Sequence, residues 1–190
     1  MTAHSSRGHK HPPSGPFVLD TLDLGRRPGA MQEVRRVAPA PEGLGVELIK
    51  VVPESPLDLD LRLESVAEGV LVTGTVTAQT EGECGRCLDP VAQTVQVQLV
   101  ELFAYPGSAT EETTDEDEIA RLVDDRIDLE PVIRDAIVLA LPLTPLCDPD
   151  CEGLCSGCGE RLADLPEDHT HELIDPRWAG LQKKFGTPEQ

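Results

Sequence analysis

The six cysteines constrain this chain more than any other feature. Four of them, Cys147, Cys151, Cys155 and Cys158, lie in one short strip spaced C-x3-C-x3-C-x2-C, and Cys84 and Cys87 form a second C-x2-C far upstream. A Cys-x2-Cys turn aims two sulfurs at one point, while N–H groups in the turn stabilise thiolates; tetrahedral zinc takes four such ligands. Gly157 and Gly159, flanking Cys158, are expected to adopt the positive φ values that a metal knuckle needs. The fold must therefore carry the upstream pair back to the strip, or place metal at two locations.

The competing readings are disulfides and a redox pair. Disulfides need an oxidising compartment. The segment Met1–Pro16 holds Arg7 and Lys10 but no apolar run after them, so export is not expected and a cytoplasmic location is. A redox C-x-x-C opens a helix after a strand, whereas Cys84 and Cys87 sit between two alternating, strand-like runs. Downstream, His169-Thr170-His171 follows Cys158 at a distance that would complete a Cys2His2 set with Cys155 and Cys158. Eight ligands make two tetrahedral zinc ions the expectation. With a single ion, the ligands would be Cys84, Cys87, Cys155 and Cys158, or the four cysteines of the strip.

Composition narrows the partners. With 35 acidic against 16 basic residues the formal net charge is −19, which disfavours sequence-independent binding to naked nucleic acid and attracts basic partners. Aromatic residues are only 3%, so the core must rest on Val, Leu, Ile and Ala, and bound metal would add cohesion. The longest apolar run, Ala136–Leu141, is too short to span a bilayer.

The expected fold class is α+β: an antiparallel β meander packed by a helix, with zinc-knuckle elements and a C-terminal helix. Residues 1–16, polar and containing His4, His9 and His11, read as a disordered tail, followed by one zinc-binding domain over 17–186 and a short tail, 187–190. Strand-like runs are Phe17–Asp20, Val46–Val52, Leu57–Glu64 with its strict leucine alternation, Val70–Gln79 and Val91–Leu102. The Cys84/Cys87 turn then forms the tip of the last hairpin. Residues 108–125 read as an acidic, solvated or partner-facing loop; nothing there suggests the dry pocket that catalytic carboxylates need. Asp128 reads as the N-cap of a helix whose apolar face is Leu129, Ile133, Ile137 and Leu141, ended by Pro142 and leading into a metal strip over 146–171. Asp175-Pro176 opens the last helix, on which Trp178, Leu181 and Phe185 can share a face; Trp178 is expected to dock on the body near the strip while Arg177, Lys183 and Lys184 face outward.

Several motifs taken together resemble a known family. The segments Glu83-Cys84-Gly85-Arg86-Cys87-Leu88, Leu139-Ala140-Leu141-Pro142, Cys147 to Gly159 and Ile174-Asp175-Pro176-Arg177-Trp178-Ala179-Gly180-Leu181 resemble the bacterial YceD family of large ribosomal RNA subunit accumulation proteins. The resemblance implies a cytoplasmic role in 50S assembly. Some members keep counterparts of Cys84, Cys87, Cys147 and Cys151 while lacking the later pair, and others have C-x-C where this chain has His169-Thr170-His171. What this implies is one site of Cys84, Cys87, Cys147 and Cys151 and another of Cys155, Cys158, His169 and His171.

Three function classes follow. The first is a non-enzymatic assembly factor whose acidic surface holds a basic ribosomal protein or a large-subunit precursor particle. The second is direct binding of ribosomal RNA, in assembly or transcription, through Arg26, Arg27, Arg35, Arg36, Arg177, Lys183 and Lys184. The third, a zinc enzyme, is disfavoured because catalytic zinc keeps an open position and the ligands here suffice to close both sites.

Overall fold

A computed structural model of the chain describes residues 13–115 and 119–171. It is α+β, mostly antiparallel sheet with few helices. The strands are β1 (Val18–Asp20), β2 (Met31–Pro39), β3 (Ile49–Val51), β4 (Pro56–Ser65), β5 (Gly69–Glu83), β6 (Pro90–Ala104) and β7 (Arg126–Asp128). The helices are α1 (Ala109–Thr113) and α2 (Glu130–Ala140), followed by a 3-10 turn at Leu162–Asp164.

The alternation in β4 explains the main sheet. Leu57, Leu59, Leu61 and Leu63 are at most 3% exposed, while Asp58, Asp60 and Arg62 on the opposite face stay in solvent. Strands β2, β4, β5 and β6 follow one another as antiparallel neighbours, and β3 pairs the far end of β5, in line with β4. Strands β5 and β6 pair along their whole fifteen-residue lengths, from Gly69 opposite Ala104 to Glu83 opposite Pro90. Their hairpin is long enough to carry its tip well beyond the core.

Helix α2 covers the inner face of this sheet. Leu129, Ile133, Ile137 and Leu141 are all buried, in one cluster with Leu61, Leu63, Leu99 and Phe103. Asp128 ends β7, and Leu129 occupies the N-cap position; Asp128 Oδ1 accepts the N–H of Glu130 (3.0 Å), so the carboxylate caps from one residue earlier than expected. The helix ends at Ala140, ahead of Pro142.

The structure corrects the expected segmentation in several places. Strand β2 has no apolar alternation: only Ala38 along it is buried, and it was legible merely as a basic stretch. Of the run Val46–Val52, only Ile49–Val51 is strand, because Val46 N–H bonds back to the Ile49 carbonyl (2.8 Å). The expected short strand at Phe17–Asp20 is β1, Val18–Asp20, and it joins β7 in a separate two-stranded sheet. The acidic connection holds α1, capped by Ser108, whose Oγ accepts the Glu111 N–H, and ends in β7. The tail over residues 1–12, the expected last helix with Trp178, and Arg177, Lys183 and Lys184 lie outside the described residues.

Two positions on α2 test this packing. Ile137→Ala should cost about 2–5 kcal/mol in urea unfolding, because its fully buried side chain leaves a cavity under the sheet. Leu139→Ala, on the 86%-exposed side two residues later, should change stability by less than about 0.5 kcal/mol.

Candidate metal centres

The tip of the β5–β6 hairpin is a knuckle. Cys84 N–H donates to the Asp89 carbonyl (2.7 Å), Leu88 N–H to the Cys84 carbonyl (2.9 Å), and Arg86 N–H to Cys84 Sγ (3.4 Å). The strip repeats this pattern: Cys155 N–H donates to the Glu160 carbonyl (2.7 Å), Gly159 N–H to the Cys155 carbonyl (2.8 Å), and Gly157 N–H to Cys155 Sγ (3.4 Å). Both knuckles need a left-handed residue after the second cysteine. Gly159 supplies it at φ 76°, and in the first knuckle Leu88 is held at φ 64°.

The structure brings the eight candidate side chains into two groups of four. Cys84, Cys87, Cys147 and Cys151 form one, and Cys155, Cys158, His169 and His171 the other, with all ligand atoms in each group within 4.8 Å of one another. In the first group Cys84 Sγ lies 3.8 Å from Cys151 Sγ, and Cys87 Sγ lies 3.5 Å from Cys147 Sγ. Zinc–sulfur bonds of about 2.3 Å in a tetrahedron put sulfurs roughly 3.8 Å apart, so these separations match a shared ion. In the second group Cys158 Sγ is 3.5 Å from His169 Nε2, the shorter edge that a sulfur–nitrogen pair requires. All six cysteines are free of disulfides. The one-ion alternatives that pair the two knuckles directly, or use the strip alone, do not match this grouping.

The first group is the more deeply set. Cys84 and Cys87 are buried and pack with Val91, Leu146 and Leu154, forming a small satellite core outside the main one. The strip is tied to the knuckle by contacts that cysteine spacing does not reveal. Gly85 N–H donates to the Pro145 carbonyl (2.8 Å), Arg86 Nη1 to the Cys151 carbonyl (2.7 Å), and Arg161 Nη2 pairs with Asp89 Oδ2 (2.8 Å).

Gly157 plays a different part from the one expected. It does not adopt positive φ; instead its missing Cβ makes room for His171, whose ring occupies the space that a side chain there would need. His171 and His169 meet edge to face with ring centroids 4.5 Å apart. The cradle fits a group in which both imidazoles are ligands.

The thiols are electrostatically unequal without a cation. N–H donation from Cys87, opposed by burial and helped by Arg86, lowers Cys84 to about 6, and donation from Cys158 and Gly157 lowers Cys155 to about 6. At Cys87 the Asp89 N–H lowers the pKa, but burial and the neighbouring thiols outweigh it and push it up to about 12. Cys147 is likewise raised: its bond with Cys87 favours the thiolate, but Cys151, burial and Cys84 oppose it. Each group thus offers one ready thiolate, and a divalent cation would draw off the other protons.

Comparison with known proteins places the chain. The family model for the large ribosomal RNA subunit accumulation protein YceD matches residues 72–183, which include both clusters. The chain belongs to the YceD family. It is 56% identical over 183 residues to the uncharacterized protein Rv2926c of Mycobacterium tuberculosis, covering 96% of this chain and 87% of that one. It is 51% identical over 166 residues to ML1660 of Mycobacterium leprae (87% and 76% of the two chains), and 25% over 130 residues to YlbN of Bacillus subtilis (68% and 74%). No solved structure matches it.

The unequal thiols give a direct test. In the reduced, metal-stripped protein, thiolate absorbance should rise first near pH 6, as Cys84 and Cys155 ionise, with Cys87 and Cys147 following only above the ordinary thiol range. Cys155→Ser should remove about half of the early phase. A single phase at the ordinary thiol pKa would mean that the knuckle N–H groups do not face the sulfurs.

Proposed function

We propose that this protein is a non-enzymatic, cytoplasmic, zinc-stabilised factor for large-subunit ribosomal RNA accumulation and 50S assembly, acting by binding a basic ribosomal protein or precursor particle. The family description supports the ribosomal setting. Cys84, Cys87, Cys147 and Cys151 would hold one zinc, and Cys155, Cys158, His169 and His171 a second, each with a closed tetrahedral set that leaves no position for substrate. Zinc supplies cross-linking here, fastening the strip to the hairpin.

The observation that favours a basic protein over RNA is the state of the arginines. Arg26 pairs with Asp125 (3.3 Å), Arg35 with Asp60 (3.4 Å) and Arg62 with Glu64 (3.0 Å), while Arg36 Nη1 donates to the carbonyls of Pro16 and Val18. Arg35 and Arg36, consecutive in β2, also point to opposite faces of the sheet, so they do not add up to one phosphate-binding patch. With a net charge of −19, the surface suits a cationic polypeptide.

Native mass spectrometry of the reduced protein should find two zinc ions per chain. Gly157→Ala should lower this to one by displacing His171, with the first site unaffected, and Cys87→Ser should destabilise the fold by several kcal/mol in chelator-free melts. Immobilised full-length protein should capture purified basic large-subunit proteins. If it instead retains naked ribosomal RNA at moderate salt and captures none of those proteins, the RNA reading replaces this one.

A further inference from the structure

Among the described residues, strand β6 lies at the edge of the sheet without the usual protection. From Val91 to Val100 it contains no charged residue and no proline, in a chain that is 27% charged. The opposite edge of the sheet, β2, is blunted by Glu33, Arg35, Arg36 and Pro39. Long uncharged edges invite another strand, and proteins ordinarily block them unless the edge is used.

The chain itself shows which backbone groups of β6 face outward. Ala104 N–H donates to the Ala120 carbonyl (2.9 Å) and its carbonyl accepts the Leu122 N–H (3.1 Å), so a short parallel segment already occupies the last position of the edge. The β5–β6 register runs without a bulge. With a period of two, the N–H and C=O groups of Leu102, Val100, Gln98 and Gln96 also point away from β5. Among the described residues, none of these has a backbone partner on that side.

Beside this edge lies a groove of about 580 Å³, walled by Gln98–Glu101 on one side and by Pro131, Val132, Asp135 and Ala136 of α2 on the other. Its carboxylates are Glu101, Asp128 and Asp135, and its one arginine, Arg121, is ion-paired to Glu111 (3.3 Å). Glu101 alternates with buried Leu99 and Phe103 on the helix-facing side, where burial raises its pKa above the ordinary carboxylate value. A cation entering the groove would favour the ionised form of Glu101.

We propose that the groove between β6 and α2 binds an extended, basic segment of a partner protein as an added strand on the stretch of the β6 edge that no described residue pairs with. Main-chain bonds to Gln96, Gln98, Val100 and Leu102 would hold the segment. Alternate Lys or Arg side chains would face Glu101 and Asp135 on the helix side, and the intervening apolar ones would lie on the opposite face of the sheet, beside the exposed Val100. The proposal rests on the reading of this protein as a holder of basic polypeptides, and it names the surface that does the holding.

The test uses the full-length, zinc-replete protein and a twelve-residue peptide of alternating arginine and valine. Two controls carry glutamate in place of arginine, or N-methyl groups on alternate amides. The basic peptide should bind, and the amides of Gln98 and Val100 should become protected from exchange. Both controls should bind at least about tenfold more weakly. Gln98→Pro removes an outward N–H while leaving the β5–β6 ladder intact, and should weaken binding about tenfold without lowering zinc content. Asp135→Lys, on an exposed helix position, is the variant of choice if the proline disturbs folding; it should weaken binding of the basic peptide and narrow its advantage over the glutamate peptide.

Equal binding by wild type, Gln98→Pro and Asp135→Lys would overturn the proposal. So would protection of the Gln98 and Val100 amides in the free protein, which would mean that the chain covers its own edge. If ribosomal proteins are captured equally by wild type and Gln98→Pro, the groove is wrong while the broader reading stands. If neither basic peptides nor basic proteins bind, the broader reading falls with it.

Discussion

The strip beyond α2 meets the main sheet where two distant chain segments converge on four sulfurs. The β5–β6 hairpin projects Cys84 and Cys87 past the core, and the end of α2 delivers Cys147 and Cys151 to the same point. Hydrogen bonds from Gly85 to Pro145 and from Arg86 to Cys151, with the Arg161–Asp89 ion pair, set the approach. These polar ties are too few and too exposed to hold the strip by themselves, since surface ion pairs contribute about 0–1 kcal/mol. A shared cation joining four thiolates would add far more, and its site lies where the hydrophobic core no longer reaches.

The two sites stand in different relations to that core. The first is set in a satellite cluster with Val91, Leu146 and Leu154, so the metal would join two parts of the fold. The second is built within one exposed excursion of the chain, where Cys158 lies at the surface and His171 fills the space left by Gly157. With metal bound, the first cluster would cross-link the fold, while the second would stiffen a local loop beside it. The acidic groove lies on another part of the same β6 strand, below the hairpin tip, so one long hairpin supports both features.

Much of this arrangement was legible in the sequence where local chemistry dictates structure. Alternating leucines marked β4, a four-residue apolar period marked α2, and cysteine spacing marked both knuckles. The misses share a cause. Strand β2 is defined by pairing with β4 rather than by burial, so its charged face hid it; the first half of the Val46–Val52 run turns as Val46 N–H bonds back to the Ile49 carbonyl. Gly157 was read for backbone freedom, whereas it matters for the ring packed against it, and Arg86 gave no hint of its bond to Cys151. Long-range contacts of this kind leave no periodic trace.

X-ray absorption spectroscopy at the zinc edge of the reduced, full-length protein tests the central claim most directly. One all-cysteine site and one with two cysteines and two histidines predict an average of three sulfurs and one nitrogen per zinc, with zinc–sulfur distances of about 2.3 Å. A first shell dominated by oxygen or nitrogen, or no bound zinc in protein purified without chelator, would contradict the account of a fold cross-linked through these eight side chains.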